Sequence, residues 1–268
     1  MHLKRWITGL SALPLLIFLI YKGGLFFTSL VTIGCLVSFW EYVRIVFDTE
    51  PKTHSGIIIA WGYLISLIII WTSHLMGLEM VSLIVAVNLV IAAFISLFQF
   101  KNVPAVVDII KKQMLGIIHI PVMLSFLIVI RNENEGMTWI FFLLSIIFAG
   151  DITALYVGTF LGRHKLCPAV SPGKTIEGSI GGLAANVIVG AVGKYFFLTH
   201  LPWVVSILFF LALGLAGQVG DLYESELKRS SKVKDSGGLL PGHGGFLDRI
   251  DALLFAAPVA YLFKVYIF

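Results

Sequence analysis

The feature that most limits what this chain can fold into is a succession of windows, each about 20 residues long and apolar on every face. Lipid offers no partner for an exposed backbone N–H or C=O, so a segment of this kind must close its own hydrogen bonds as a helix. The windows fall at about 6–21, 24–42, 56–75, 79–99, 114–130, 137–158, 179–198, 203–221 and 246–266. Only 13% of the residues are charged and the mean hydropathy is +0.96, which a single buried core of 268 residues does not produce. The expected fold is an all-α, polytopic transmembrane helix bundle of about nine spans.

The first window follows Lys4 and Arg5, as in a signal peptide, but no small-x-small site follows it. Lys22-Gly23-Gly24 leads at once into the next window, so the segment reads as a retained helix. Cys35 lies in a span and Cys167 in a loop, which implies no disulfide framework.

Lys and Arg are enriched in cytoplasmic loops close to span ends. With the N-terminus inside, the inner segments are 1–5, 43–55, 100–113, 159–178 and 222–245. Together with Arg249 they hold all of the 19 basic residues except Lys22, Arg131, Lys194 and Lys264. The chain is therefore expected to be a multi-pass protein of the cell inner membrane, with a cytoplasmic N-terminus and its charged loops facing the cytoplasm. A net charge of +4 gathered on that side favours an anionic leaflet or phosphate-bearing substrates, and nucleic acid is not an expected partner.

The chemistry is unevenly distributed along the chain. Residues 1–135 read as N-terminal membrane helices, in which Glu41, Asp48, Glu79 and Asp108 follow no pattern tied to a reaction. Pro14 and Pro121 are expected to bend their spans. Trp40, Trp61, Trp71, Trp139 and Trp203 read as interfacial anchors. Residues 136–268 read as a catalytic membrane region with charged loops, within one integrated membrane protein.

In that second region Asp151 sits inside a strongly apolar helix, and an ionisable residue at membrane depth is a functional candidate by default. The loop after it, Gly162 to Gly178, carries cations and hydroxyls suited to polyphosphate. Gly173-Lys174-Thr175 invites comparison with a P-loop, but Pro168 stands where the first glycine is required, so that reading fails. Lys174 can still donate to phosphate as a point charge, and Ser171 and Thr175 through their hydroxyls. Backbone N–H groups near Thr175 to Gly178 would add an anion-binding helix end.

The eighth window passes from apolar to charged without a breaker, so its helix is expected to continue beyond the membrane. On it Asp221, Ser225 and Lys228 share a face, with Glu224 beside them and Gln218 one turn below. The following stretch packs five glycines into residues 237–245, permitting close backbone approach to a phosphate or metal. Asp248 and Asp251 then share a face at the start of the last span. Carboxylates on two successive helices can hold a hard divalent cation such as Mg²⁺. His243 could be a base, a phosphate donor or a structural loop residue.

The run Ser225-x-x-Lys228-Arg229-x4-Lys234-Asp235-x-Gly237-x3-Pro241-Gly242-His243-Gly244-Gly245-x-x-Asp248-Arg249-x-Asp251 resembles the pattern of phosphatidate cytidylyltransferases. Asp151 and Ser171-Pro172-x-Lys174-Thr175-x-Glu177-Gly178 resemble the same family, although Gly173 and Ile176 stand where it often has Lys and Trp. The resemblance implies transfer of a cytidylyl group from CTP to phosphatidate, giving CDP-diacylglycerol and pyrophosphate. It implies Asp221 and Asp248 as ligands of Mg²⁺, with Asp251 or Asp151 as a third and room for a second cation. Lys228, Arg229, Lys234, Asp235 and His243 join Asp221 and Asp248 as catalytic candidates. Ser171, Lys174, Thr175, Glu177, Ser225, Gly244, Gly245 and Arg249 are the substrate-binding candidates. The expected partners are CTP and membrane-borne phosphatidate, with a homodimer left open. A secondary transporter of an anionic solute is the alternative, but it would place interrupted helices in two related halves, whereas charge is concentrated in one. A CDP-alcohol phosphotransferase would need an Asp-Gly-x-x-Ala-Arg start, which the chain lacks. A catalytically silent scaffold fits poorly with so complete a polar pattern.

Overall fold

The computed structural model describes residues 13–47, 56–101, 103, 105–233, 236–237 and 244–268. The described chain is almost wholly helical, with eight helical stretches long and apolar enough to cross a membrane and a shorter one at Leu13–Lys22. The protein is thus an integral, multi-pass helical membrane protein, as the apolar windows predict. The beginning of the first window, with Lys4 and Arg5, lies outside the described residues, as do Asp48 and Lys52.

Two compact units divide the chain. One takes the residues up to Asn132 together with Asp235–Asp248, and the other takes Glu133–Lys234 with Arg249–Phe268. The motif from Ser225 to Asp251 is therefore shared between them.

In the first unit, α1 (Leu13–Lys22), α2 (Gly24–Phe47), α3 (Gly56–Met76) and α4 (Leu78–Gln99) precede α5 (Val106–Ile117) and α6 (Met123–Asn132). A π-helical turn, Ile118–Val122, joins α5 to α6 and contains Pro121. Proline has no N–H to give and crowds the preceding turn, and a wider turn accommodates both defects without breaking the span. The expected bend is in this case a widened turn.

Close packing around α2 depends on small residues. A Cβ on Gly62 would meet the Phe39 ring, and one on Gly116 would meet the Tyr42 ring. Inside the unit Trp61 donates to Asn88 Oδ1 at 2.9 Å, and Asn88 exchanges hydrogen bonds with Gln113. Trp61 thus tethers a buried polar thread in addition to any interfacial role. At the end of α1, the Arg131 guanidinium donates to the carbonyls of Ile20 and Tyr21 at 2.8 and 3.0 Å, closing carbonyls that the helix end leaves open. Gly23 beneath it has φ +63 and no room for a side chain against that guanidinium.

The second unit comprises α7 (Gly136–Leu161), a hairpin of β1 (Lys165–Cys167) and β2 (Ser171–Thr175), then α8 (Ile176–Phe197), α9 (Trp203–Ser230) and α10 (Leu247–Leu262) from Arg249 onward. A second π-helical turn, Phe263–Ile267, ends the chain's last span. The strands are antiparallel, pairing Lys165 with Thr175 and Cys167 with Ser171. As expected, α9 runs well beyond its apolar window, to Ser230.

The buried face of α8 is Gly178, Gly182, Asn186, Gly190 and Lys194, one residue every fourth position. Helices in lipid gain little from burying apolar surface, so close backbone approach at small residues holds them together. Here a Cβ on Gly178 would press on the Ala154 carbonyl of α7, and one on Gly190 on the Phe210 ring of α9. Trp139 differs from the sequence expectation. It is 3% exposed and packs against Phe142, Phe209 and Phe268, so it is an interior aromatic and not an interfacial anchor.

Candidate active site

Several polar groups of the second unit have a local reason for their place. The loop after α7 becomes a hairpin because Glu177, in the first turn of α8, reaches back over it. Its carboxylate accepts the Arg163 N–H at 3.0 Å and the His164 N–H at 3.2 Å, and meets His164 Nδ1 at 2.6 Å. Thr175 is the N-cap of α8, its Oγ1 accepting the Gly178 N–H at 3.1 Å. Thr175 and Glu177 therefore shape the hairpin and the helix start, and the Gly178 N–H is taken by the cap.

That hairpin sets Lys174 against α9, where its Nζ lies 2.5 Å from Asp221 Oδ2. Asp151 of α7, Asp221 of α9 and Asp251 of α10 are near enough for their charges to act on one another. Lys174 acts on Asp151, and Lys228 acts on Asp251, with opposite sign. α9 and α10 come this close because Gly220 lies against the Asp251 carbonyl, where a Cβ would be 2.5 Å from the oxygen. Two turns of α9 thus carry Asp221, Glu224, Ser225 and Lys228, with Ser225 half-buried one turn beyond Asp221.

Lys228 pairs with the wholly buried Glu224 at 3.2 Å. One turn below Asp221, Gln218 takes a hydrogen bond from the Ser179 hydroxyl at 2.5 Å and returns one to the Ser179 carbonyl at 3.0 Å. Arg229 donates to the carbonyls of Val170 and Val233 at 3.3 and 3.4 Å, tying the hairpin's turn to the end of α9. Ser171 begins β2 opposite Cys167, and Arg249 is exposed on the first turn of α10. The arrangement is a group of acids with lysines interleaved, which would need added or rearranged positive charge to bind a polyanion.

Gly244, Gly245 and Asp248 belong to the first unit, where the Asp248 carboxylate accepts the Gly245 and Ser236 N–H groups at 3.1 and 3.3 Å. Lys234, Asp235 and His243 fall outside the described residues. Sequence reasoning passed over Glu41, Ser179 and Asn186. Glu41 is fully buried on α2 and accepts backbone N–H groups at the start of α10. The signal was present, since Glu41 is an acid in an apolar span, the same criterion that selected Asp151.

The sequence matches the model of the Cytidylyltransferase family over residues 3–267. It is 33% identical over 267 residues to a phosphatidate cytidylyltransferase of Bacillus subtilis, covering 96% of both chains. Similar proteins of the same name occur in Staphylococcus aureus, 32% identical over 260 residues, and Staphylococcus epidermidis, 33% identical over 265 residues. In both cases the match covers 95% of this chain and 96% of the relative. Matched end to end by the family model and by these relatives, the chain belongs to the cytidylyltransferase family.

Proposed function

We propose that this protein is a phosphatidate cytidylyltransferase, converting CTP and phosphatidate to CDP-diacylglycerol and pyrophosphate. The observation that carries the reading is the gathering of Asp151, Asp221 and Asp251 with Lys174 and Lys228 in one membrane-embedded unit. A phosphate oxygen of the lipid attacks the α-phosphorus of CTP, forming the new P–O bond as the bond to the β-phosphate breaks and pyrophosphate leaves. The attacking phosphate monoester is already anionic near neutral pH, its second pKa being about 6, so no strong general base is required. The task for the protein is to position two anions and offset their charge.

The donor set fits Mg²⁺, which commonly takes one or two carboxylates and completes its shell with water and substrate phosphates. Among the described residues no three His, Cys, Asp or Glu side chains stand together as a metal-holding group, so a bound ion would need water and substrate phosphate among its ligands. Asp221, with Asp251 or Asp151, would hold the ion, which when bound offsets the charge on the reacting phosphates. Lys174 and Lys228 present ammonium groups to phosphate oxygens, and Arg229 holds the hairpin's turn against α9. Asp248, expected as a second ligand, accepts the Gly245 and Ser236 N–H groups, and Asp248→Asn tests whether it also serves the metal. Phosphatidate enters from the bilayer and CTP from the cytoplasm, the side on which the basic residues cluster.

The test is incubation of the purified protein in detergent with CTP, phosphatidate and Mg²⁺, following CDP-lipid and pyrophosphate together. Equimolar appearance of both supports the reading. No CDP-lipid under any divalent cation would reject it and favour a transporter of an anionic solute.

A further inference from the structure

Glu41 stands out as an acidic side chain, 0% exposed, in the C-terminal part of the mostly apolar α2 of the first unit. Its carboxylate accepts the Leu247 N–H at 2.7 Å, the Phe246 N–H at 2.9 Å and the Ser236 hydroxyl at 3.3 Å. Leu247 is the first residue of α10, so these are N–H groups that a helix start leaves without intrahelical partners. The cap is supplied by a residue about 200 positions away in sequence. Asp248 completes the arrangement from the other direction through the Gly245 and Ser236 N–H groups.

The glycines fit the same explanation. A Cβ on Gly237 would lie 2.8 Å from Glu41 Oε1, and one on Gly245 would overlap Ser236 Oγ and both Glu41 oxygens. Gly34 of α2 meets the Phe246 ring at 3.2 Å from where its Cβ would stand, so Phe246 is seated on the helix that carries Glu41. At these two positions glycine is demanded by a protein carboxylate, not by a substrate phosphate.

We propose that Glu41 is a positioning residue. From α2 it anchors both flanks of the glycine-rich segment, Ser236–Gly237 and Gly244–Leu247, and fixes the first turn of α10, which bears Asp248 and leads into Asp251. The two oxygens of a carboxyl group offer enough lone pairs to accept from all three donors at once. Only the activity part of the test rests on the cytidylyltransferase reading.

Glu41→Gln keeps the volume but turns an amide NH₂ toward a backbone N–H. In the folded variant, hydrogen exchange of peptides covering Gly244–Asp251 should accelerate about tenfold or more, while α8 peptides remain unchanged. Turnover should fall by about a hundredfold, with KM for phosphatidate unmoved and the half-saturating Mg²⁺ concentration raised, as expected when a positioning contact is lost. A loss of folded protein alone would lower the maximum rate without changing the Mg²⁺ dependence. Gly237→Ala, which displaces the carboxylate without removing it, should give the same local acceleration and stands in if Glu41→Gln does not fold. Unchanged exchange in these peptides, or acceleration spread evenly over the first unit, would overturn the inference. Should the wild-type protein make no CDP-lipid, the exchange result alone decides it.

Discussion

Lys174 is the residue on which the charge balance of the second unit turns. It lies 2.5 Å from Asp221 and acts on Asp151 as well, so it offsets acids that would otherwise repel one another at membrane depth. Lys174→Met, of similar length but uncharged, should lower turnover by about a hundredfold, as measured by CDP-lipid formation in detergent. Lys174→Arg, which keeps the charge, should retain a larger share of activity, and equal losses in both would show that charge is not what matters. At this scale the sequence was readable wherever an acid or cation interrupted an apolar run, which brought out Asp151, Asp221 and Asp251. Glu41 broke the same rule, yet its meaning depended on donors at Ser236, Phe246 and Leu247 that no local spacing connects to it.

Helices and turns place these residues by backbone approach. The seam of α8 against α7 is built on Gly178, where an added Cβ would stand 2.7 Å from the Ala154 carbonyl, with the Gly158 Cα close behind. Neither is a side chain that can swing away. Gly178→Ala should therefore destabilise the fold by about 1–3 kcal/mol, read as a lower Tm in detergent. Thr175→Ala, which removes the cap at the N-terminus of α8, should cost about 1 kcal/mol in the same measurement, while Thr175→Ser should be nearly neutral. An unchanged Tm in Gly178→Ala would mean that the two helices separate more easily than their glycine packing implies.

The spans themselves were legible, because a helix apolar on every face leaves a signal about 20 residues long. The hairpin at Lys165–Thr175 was not, since strands of three and five residues in a Gly- and Pro-bearing loop leave no periodicity to detect. Nor was the π-helical turn at Pro121, where proline announced a defect but not how the chain would absorb it. Trp139 looked interfacial by its position near a span end, and only the packing of Phe142, Phe209 and Phe268 around it revealed an interior role.

For the molecule as a whole, the asymmetry of basic residues predicts that the hairpin bearing Cys167 faces the cytoplasm. Cys35 is buried, so Cys167 is the thiol of choice for a membrane-impermeant maleimide. It should be protected in intact cells and labelled after lysis, and a cysteine introduced at Asn134 should behave in the opposite way. The reverse pattern would invert the topology and place the acids and lysines of the second unit away from cytoplasmic CTP.

The most direct test follows the label of CTP. With phosphatidate and Mg²⁺, label in the α-phosphate should pass into the lipid and label in the γ-phosphate into pyrophosphate, at a rate lowered about a hundredfold or more by Asp221→Asn. Absence of α-label from the lipid, or an Asp221→Asn enzyme as fast as the wild type, would contradict the account.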